Sequence, residues 1–356
     1  MRRIGDGVLV LGMHRSGTSA VAGCLERLGL DFSGPLMAAR TGENSRGYFE
    51  LLAAYDAHKR LFARCSVAWD DPRGLDLGAV PGSTLDAAVD ELEALLVKHF
   101  DASKAWALKD PRLSRTAPLW HRALGRLGAD ARHVIVLRHP DEVAASLAVR
   151  DGFSREKSDL LWAEHMLDAE RHSRGRRRAI VDYRRLLEDP VDAVETLGDR
   201  LHLAWPRSGS GADGAIRHFL DRGLRHHRGG ETVESRGRLG DLLPRLYREL
   251  ADVAACGREP DRELLDALHA RLGDRRRQLQ SLEIEHMTQL ALRGEEQTEI
   301  LSDWVEQQGH DIKELRGLVH DLEDQLAERT RWIQIQDKLL HNQLRKLNHL
   351  ESKLPS

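Results

Sequence analysis

The sequence has little of what marks secreted, membrane-spanning or metal-binding proteins. Its 356 residues include only three cysteines, Cys24, Cys65 and Cys256, which are far apart and odd in number, so no disulfide framework or CxxC metal site follows. No apolar run approaches the ~20 residues that cross a bilayer. The 18 histidines include no HExxH pair, so we expect no metal. An apolar strand begins as early as Val8, and we therefore expect no signal peptide and a cytoplasmic protein.

Charge and size narrow the class further. The formal net charge is −3, with 54 basic residues interspersed among 57 acids, which gives no signal of nucleic-acid binding. A hydrophobic content of 41% with 31% charged residues is typical of a globular chain that carries long polar helices. The length accommodates one large α/β domain plus an extension, or two domains.

The most informative stretch is VLVLGMHRSGTS, from Val8 to Ser19. Its first four residues have no polar face, which predicts a strand at the centre of a parallel sheet. Gly12 and Gly17 then bracket four residues before a helix. This is the plan of a phosphate-binding loop, in which amide N–H groups and a helix N-terminus hold an anion. The alternative is an ordinary strand–turn–helix without a ligand.

The loop lacks the lysine of a nucleotide-binding Walker sequence. Thr18 stands where that lysine would contact the β- and γ-phosphates. The cation is instead Arg15, beside Ser16, and its planar guanidinium suits a pair of phosphate or sulfate oxygens. The loop therefore predicts an anion site that is not built for Mg-ATP.

Charged residues follow two further predicted strands. Lys109-Asp110-Pro111-Arg112 comes after 106–108, and Arg138 comes after 132–137, with Ser146 two turns into the next helix. Ligands of parallel sheets bind at the carboxyl ends of strands, so these side chains are candidates for one anion site. Solvated turns are the alternative. Asp182, after a fourth strand, reads as a helix cap in preference to a Walker B acid, and the basic residues of 171–178 contact either an anionic substrate or water.

The chain changes character after residue 258. Apolar residues recur every three and four positions from Ile284 to Leu354, which predicts a coiled coil. Polar residues at core positions favour a low oligomeric state. The alternative is a helical hairpin packed on the α/β domain. We thus predict an α/β fold, a P-loop-type parallel sheet flanked by helices over residues 1–258, followed by a helical coiled-coil extension over 259–354 that forms a homo-oligomer.

Four motifs in order, GMHRSGTS, NSRGYFE, LKDPR and VIVLRHPDEVAASL, give the chain a family resemblance. It resembles the bacterial sulfotransferases that use 3′-phosphoadenosine 5′-phosphosulfate (PAPS), and more loosely the tyrosylprotein sulfotransferases. The resemblance covers roughly residues 5 to 230 and excludes the heptads. It implies sulfuryl transfer from PAPS, without a metal, to a hydroxyl of a carbohydrate or glycolipid-type acceptor.

The resemblance also implies roles for particular residues. Arg138 and Ser146 would bind the 3′-phosphate, with a weaker match at 225–230, and Lys109 would stabilise the transferring group. The base would be Glu43 or Glu50, and Glu50 is preferred because Gly47-Tyr48-Phe49 would position it. The 5′-phosphosulfate loop, with Arg15 at the sulfuryl group, would comprise Gly12, His14, Arg15, Ser16, Gly17, Thr18 and Ser19.

Two other functions remain open at this point. One is a P-loop kinase or NTPase, which the missing Walker lysine disfavours. The other is a coiled-coil scaffold whose α/β domain has lost activity, which the complete set of Arg15, Lys109, Arg138 and Ser146 disfavours. As the acceptor we expect a small molecule or a glycan, and we expect neither nucleic-acid binding nor a membrane span.

Overall fold

A computed structural model describes residues 4–38, 47–71, 74–220, 230, 232–234 and 237–274, with isolated positions 313, 317, 326 and 329. The chain divides into two compact units, 1–280 and 281–356. Three predictions fall outside the described residues: the heptads over nearly their whole length, Glu43, and the basic loop at 225–229.

The first unit is built on a four-stranded parallel sheet, as the sequence predicts. The strands are β1 Gly7–Gly12, β2 Trp106–Lys109, β3 Ala131–Leu137 and β4 Arg178–Asp182, in the order β2-β1-β3-β4. The apolar strand β1 is central and buried throughout. Val10 pairs with Lys109, and Gly12 with Val136, so β1, β2 and β3 end at one edge of the sheet.

Helices cover both faces of the sheet. The helices are α1 Thr18–Arg27, α2 Leu52–Arg64, α3 Gly82–His99, α4 Leu113–Arg126, α5 Pro140–Asp151, α6 Arg155–Ser173, α7 Tyr183–Glu188, α8 Pro190–Leu201, α9 Ser210–Phe219 and α10 Leu242–Cys256. One face of the sheet lies against α2 to α6 and α10, and the other against α1 and α7 to α9. Strand β1 alternates between the two cores, with Leu9 and Leu11 in the first and Val8 and Val10 in the second.

A further helical segment at 262–274 belongs to the same core. Its residues Leu265, Leu268 and Leu272 are buried together with α10. The α/β unit therefore continues past residue 258, where the sequence placed the start of the extension. Of the described helices, none is both long enough and apolar enough to cross a membrane.

Helix α9 begins earlier than its composition indicates. The Gly/Ser-rich stretch 205–214 predicts a loop, but α9 starts at Ser210, after Gly209 with φ 85°. Ala212, Ile216 and Phe219 are buried at helical spacing in the core shared with α1. Tertiary packing of this face outweighs the low helix propensity of glycine and serine.

Three of the five arginines at 171–178, Arg174, Arg176 and Arg178, are paired with acids. Arg174 contacts both oxygens of Glu170 and also Asp266, and Arg178 contacts Glu170 and Glu259. The guanidinium groups of Arg174 and Arg178 are therefore paired with acids inside the unit. Neither contact with an anionic substrate nor contact with water alone describes these two residues.

Candidate functional site

The loop between β1 and α1 has a backbone that few residues can adopt. Gly12 has φ 140° and Gly17 has φ 91°, and Arg15 lies at φ 67° although it has a side chain. A Cβ on Gly17 would lie 2.2 Å from Cδ2 of Tyr183, so glycine is required there for space as well as for φ. A non-glycine residue held at positive φ is a kind of backbone strain that clusters at functional sites.

Ser114, in the first turn of α4, holds the start of the loop. Its Oγ accepts a hydrogen bond from Gly12 N at 2.8 Å and lies 3.2 Å from Gly12 O, to which it donates. This residue is not among those predicted from the sequence. The available signal was its position two residues beyond the LKDPR motif, at the edge of the sheet where β1 and β2 end together.

The loop presents donors that are open for an anion. Helix α1 has no side-chain cap at Gly17. The backbone N–H groups of a first helical turn lack the usual partner four residues back, and of these the Ala20 N–H donates to Gly17 O at 3.0 Å. Ser16 Oγ and His14 Nε2 are buried and, within the part of the chain that the structure describes, have no hydrogen-bond partner. A buried hydroxyl without a partner is costly unless something binds it, so the loop suits a phosphate or sulfate group.

Arg15, Arg138 and Ser146 meet at this loop. The Nε of Arg15 donates to Ser146 Oγ at 2.8 Å, and Nη1 of Arg138 donates to the Arg15 carbonyl at 2.8 Å. Arg138 also donates to Glu142 Oε2 at 2.9 Å and lies over the ring of Tyr183. The structure thus brings together two residues that the sequence placed on one anion, and adds Glu142, which was not predicted.

Lys109 connects the end of β2 to the loop and to a carboxylate. Its buried ammonium donates to Glu50 Oε1 at 2.6 Å, to Ser19 Oγ at 3.1 Å and to Tyr48 O at 3.0 Å. These three bonds use all the donors of a lysine. Lys109 and Glu50, predicted separately, therefore form one buried ion pair beside the loop.

The segment before α2 is shaped to present Glu50. Phe49 has φ 57° and its ring packs against Phe32 and Phe219 at centroid distances of 5.8 and 6.1 Å. The aromatic anchor turns the chain so that the next residue, Glu50, enters the site. That Gly47-Tyr48-Phe49 positions Glu50 as a base stays a prediction.

A second buried layer lies behind Glu50. Arg112 Nη1 is 3.7 Å from Glu50 Oε2 and 3.0 Å from Asp110 Oδ1, and the other oxygen of Asp110 is 2.8 Å from His58 Nδ1. Burial alone would raise the pKa of Asp110, but the Arg112 guanidinium and His58 outweigh it and hold this pKa well below its usual range. Asp110 is therefore a permanent anion at neutral pH.

His14 is a neutral member of the loop. Its ring packs on Trp69 with centroids 3.9 Å apart and meets His165 edge to face at 6.0 Å. Burial lowers the pKa of His14 well below 6.5, and Arg112 lowers it further. The loop therefore takes its positive charge from Arg15 and not from His14.

Asp182 caps α7. Its side chain accepts from the backbone N–H groups of Arg184 at 2.7 Å and Arg185 at 3.3 Å. The expectation of a helix cap is confirmed, and β3 separates Asp182's strand from β1. Within the described residues no group of three or more His, Cys, Asp or Glu is arranged to hold a metal ion.

Comparison with known proteins gives only distant structural likeness. No protein-family model matches the chain, and no curated protein matches it. It is similar to the sulfotransferase domain from the Synechococcus PCC 7002 olefin synthase, with 14% identity and a TM-score of 0.36 over 75% of this chain and 94% of that one. The sulfotransferase domain from the curacin biosynthetic pathway gives 13% and 0.35 over 71% and 98%. A sulfotransferase from Alicyclobacillus acidocaldarius gives 15% and 0.34 over 58% and 84%. Likeness at this level establishes no function, so the chemistry of the site has to decide it.

Proposed function

We propose that the chain is a sulfotransferase that moves the sulfuryl group of PAPS to a hydroxyl of a carbohydrate or glycolipid-type acceptor. The observation that carries the proposal is the donor set of the loop. Ser16 Oγ is buried without a hydrogen-bond partner, the α1 N-terminus is uncapped, and the surrounding cations are Arg15, Lys109 and Arg138. This set of donors suits a phosphosulfate group, and the loop has no lysine at the Walker position.

The residues present suit the two anionic ends of such a donor. Ser16, Arg15 and the first-turn amides of α1 would hold the 5′-phosphosulfate, because they combine an unused hydroxyl, a guanidinium and open N–H groups. Arg138 and Ser146, both of which contact Arg15, would hold the 3′-phosphate. When bound, PAPS supplies an activated sulfuryl group that needs no metal for its transfer.

Glu50 and Lys109 would divide the work at the reacting centre. Glu50 takes the proton of the acceptor hydroxyl while the hydroxyl oxygen forms its bond to sulfur and the bond from sulfur to the bridging phosphate oxygen breaks. Arg15 and the loop amides stabilise the charge that develops on that leaving oxygen. By comparison with oxyanion donors, each such group contributes about 10²–10³-fold in rate.

Lys109 can donate to the transferring group with little loss. Its three hydrogen bonds include one to the Tyr48 carbonyl, which also accepts from Ser19 Oγ at 3.2 Å. The carbonyl therefore keeps a donor when Lys109 turns one N–H toward a sulfuryl oxygen. The hydrogen bond from Lys109 to Glu50 meanwhile keeps the ammonium and the carboxylate next to each other.

The kinase or NTPase alternative has less support. Thr18 cannot reach β- and γ-phosphates as a lysine does, and the Asp182 carboxylate is occupied in capping α7. The inactive-scaffold alternative is disfavoured by the site itself, since Arg15, Lys109, Arg138 and Ser146 are brought into contact with the loop.

Calorimetric binding of 3′,5′-adenosine bisphosphate tests the proposal, with and without Mg²⁺ and beside ATP. We expect binding of the bisphosphate that does not depend on Mg²⁺. Arg138→Ala should weaken it by roughly 10–100-fold, the equivalent of one charged hydrogen-bonding group. The matched control is Arg132→Ala on the same strand, whose guanidinium donates to Leu201 O at the far end and should leave affinity unchanged.

Arg138→Lys guards against misfolding of the alanine variant, because it keeps a charge beside Glu142 but loses the planar fork. Binding of ATP that requires Mg²⁺, with no binding of the bisphosphate, would refute the proposal in favour of a kinase. Failure of both ligands to bind to the folded protein would refute it in favour of a scaffold.

A further inference from the structure

We infer that His58 and Asp110 are positioning residues that fix Arg112 against Glu50. This inference rests on the proposed function, in which Glu50 is the base. A continuous series of buried contacts carries it: Trp120 to His58, His58 to Asp110, Asp110 to Arg112, and Arg112 to Glu50. We call these five residues the support chain.

The hydrogen bonds of His58 assign the roles of its two ring nitrogens. The indole N–H of Trp120 can only donate, and it lies 3.0 Å from His58 Nε2. Nε2 is therefore the acceptor nitrogen, and Nδ1 donates to Asp110 Oδ2 at 2.8 Å. His58 thus acts as a directional donor to a carboxylate.

The other oxygen of Asp110 accepts two hydrogen bonds from Arg112. Oδ1 accepts from Arg112 N at 2.9 Å and from Arg112 Nη1 at 3.0 Å, which fixes the backbone and the guanidinium together. The Tyr55 ring lies 4.7 Å from the guanidinium carbon and closes another side. In this orientation Nη1 is 3.7 Å from Glu50 Oε2.

The charges around the support chain come from several elements. Glu50 faces Lys109 and Arg112, Arg112 faces Asp110, Glu50 and Tyr55, and His58 faces Asp110, Thr116 and Trp120. The five members of the support chain lie in series, Tyr55 and Thr116 contact them from the side, and Glu50 is the end at which a reacting group can meet them. Since buried ion pairs add little net stability, their presence here is better explained by the geometry they impose on Glu50.

The inference predicts a separation of catalysis from donor binding. Within the described part of the chain, the hydrogen bonds of His58 and Asp110 run to each other, to Arg112, to Thr116 and to Trp120, and not to the loop residues 12–19. Loosening the support chain should therefore displace Glu50 while the bisphosphate still binds. A displacement of about 1 Å at a reacting group can cost about 100-fold in rate.

The test compares His58→Leu with His58→Asn. Asparagine carries an N–H close to the position of Nδ1 and can keep the bond to Asp110, whereas leucine fills the space without a donor. The control is Thr116→Val. It removes the hydroxyl that lies 3.1 Å from Nε2 and donates to Arg112 O at 3.0 Å, but it leaves the Trp120 donor to Nε2 and the backbone N–H donors of residues 115 and 116 to that carbonyl. Each protein is assayed for 3′,5′-adenosine bisphosphate formation from PAPS, with water and with methyl glucoside as hydroxyl acceptors, and for bisphosphate affinity by calorimetry.

We expect His58→Leu to lower kcat by ~10–100-fold with the KM for PAPS and the bisphosphate Kd within about twofold. His58→Asn should recover most of the rate, and Thr116→Val should match the wild type. A low-field imino proton of His58, visible by NMR in the wild type and absent in both His58 variants, is the accompanying spectroscopic signature.

Equal losses of kcat in the leucine and asparagine variants, or no loss in either, would overturn the inference and leave the sulfotransferase proposal intact. So would the absence of the imino proton in the wild type. A wild type that binds the bisphosphate but forms none from PAPS would overturn both the base and its positioning. Should His58→Leu fail to fold, the comparison of His58→Asn with Asp110→Ala decides, since only the second removes the oxygen that accepts from Arg112 N and Nη1.

Discussion

Replacement of Lys109 by methionine should be among the most damaging single changes in the α/β unit. Both Lys109 and Glu50 are nearly inaccessible, with side-chain exposures of 3% and 7%, and their charged atoms are 2.6 Å apart. Methionine keeps the length of the side chain but leaves the carboxylate of Glu50 without its nearest cation. The expected cost is about 3–5 kcal/mol of unfolding free energy, which is typical when one partner of a buried pair is removed.

The geometry supports this magnitude. At an effective dielectric constant of ~20, charges 2.6 Å apart attract by about 6 kcal/mol, and the Arg112 contact to Glu50 at 3.7 Å contributes about 4 kcal/mol. Arg112 thus offsets part of the loss, but it is already shared with Asp110. Lys109→Met also removes donors from Ser19 and from the Tyr48 carbonyl.

The assay is equilibrium unfolding in urea of the wild type, Lys109→Met, Glu50→Gln and the double variant. Because the double variant buries no unpaired charge, it should recover most of the stability that Lys109→Met loses, giving a coupling energy of at least ~2 kcal/mol. A loss below about 1 kcal/mol in Lys109→Met, or strictly additive effects in the double variant, would refute the reasoning that this is a buried and mutually dependent pair.

Two further predictions concern the loop and the response to acid. Gly17→Ala should abolish bisphosphate binding and lower the free energy of unfolding by more than ~2 kcal/mol, because the new Cβ would lie 2.2 Å from the Tyr183 ring. The control is Gly152→Ala, at φ 67° with open space around it, which should cost only about 1 kcal/mol and leave binding intact. Similar losses in the two variants would contradict the steric argument. Burial lowers the pKa of His133 and of His165 to about 3, below the ~6.5 of histidine in an unfolded chain. Between these two pH values the unfolded chain binds more protons than the folded one. The free energy of unfolding should therefore fall as the pH drops from about 6.5 toward 3. Urea titrations at pH 7 and 5 measure this slope, which His165→Asn should reduce; a stability that is flat or rises on acidification would contradict it.

Patterns within short stretches of the sequence predict the fold and several of the candidate site residues. The apolar run at Val8–Leu11 placed β1 at the centre of the sheet because a strand without a polar face has to be covered on both sides. The break between α7 and α8 is also local, because proline in a helix interior removes a backbone hydrogen bond, and α7 ends at Glu188, before Pro190. Arg15 was identifiable because it lies between the two glycines of the loop, only a few residues away.

Contacts between distant residues were not visible in the same way. Ser114 is hydrogen-bonded to Gly12 from 102 positions away along the chain. Tyr183 fills the space beside Gly17 from 166 positions away. His58 sits on α2 in a stretch whose pattern indicates only an amphipathic helix. No local propensity encodes such partners, because each becomes a neighbour only when parallel strands and their crossover helices stack.

The order of residues alone was enough to predict the strands, the glycine-bounded loop after β1 and the cationic side chains in and beside it, because these depend on a few residues at a time. The tertiary structure decided which acid pairs with Lys109, where Arg138 is directed, and that Asp110 and His58 lie behind Glu50. The physical reason is that burial forces each charge to find a partner in three dimensions. The partner is chosen by the packing of the sheet and its helices, and not by distance along the chain.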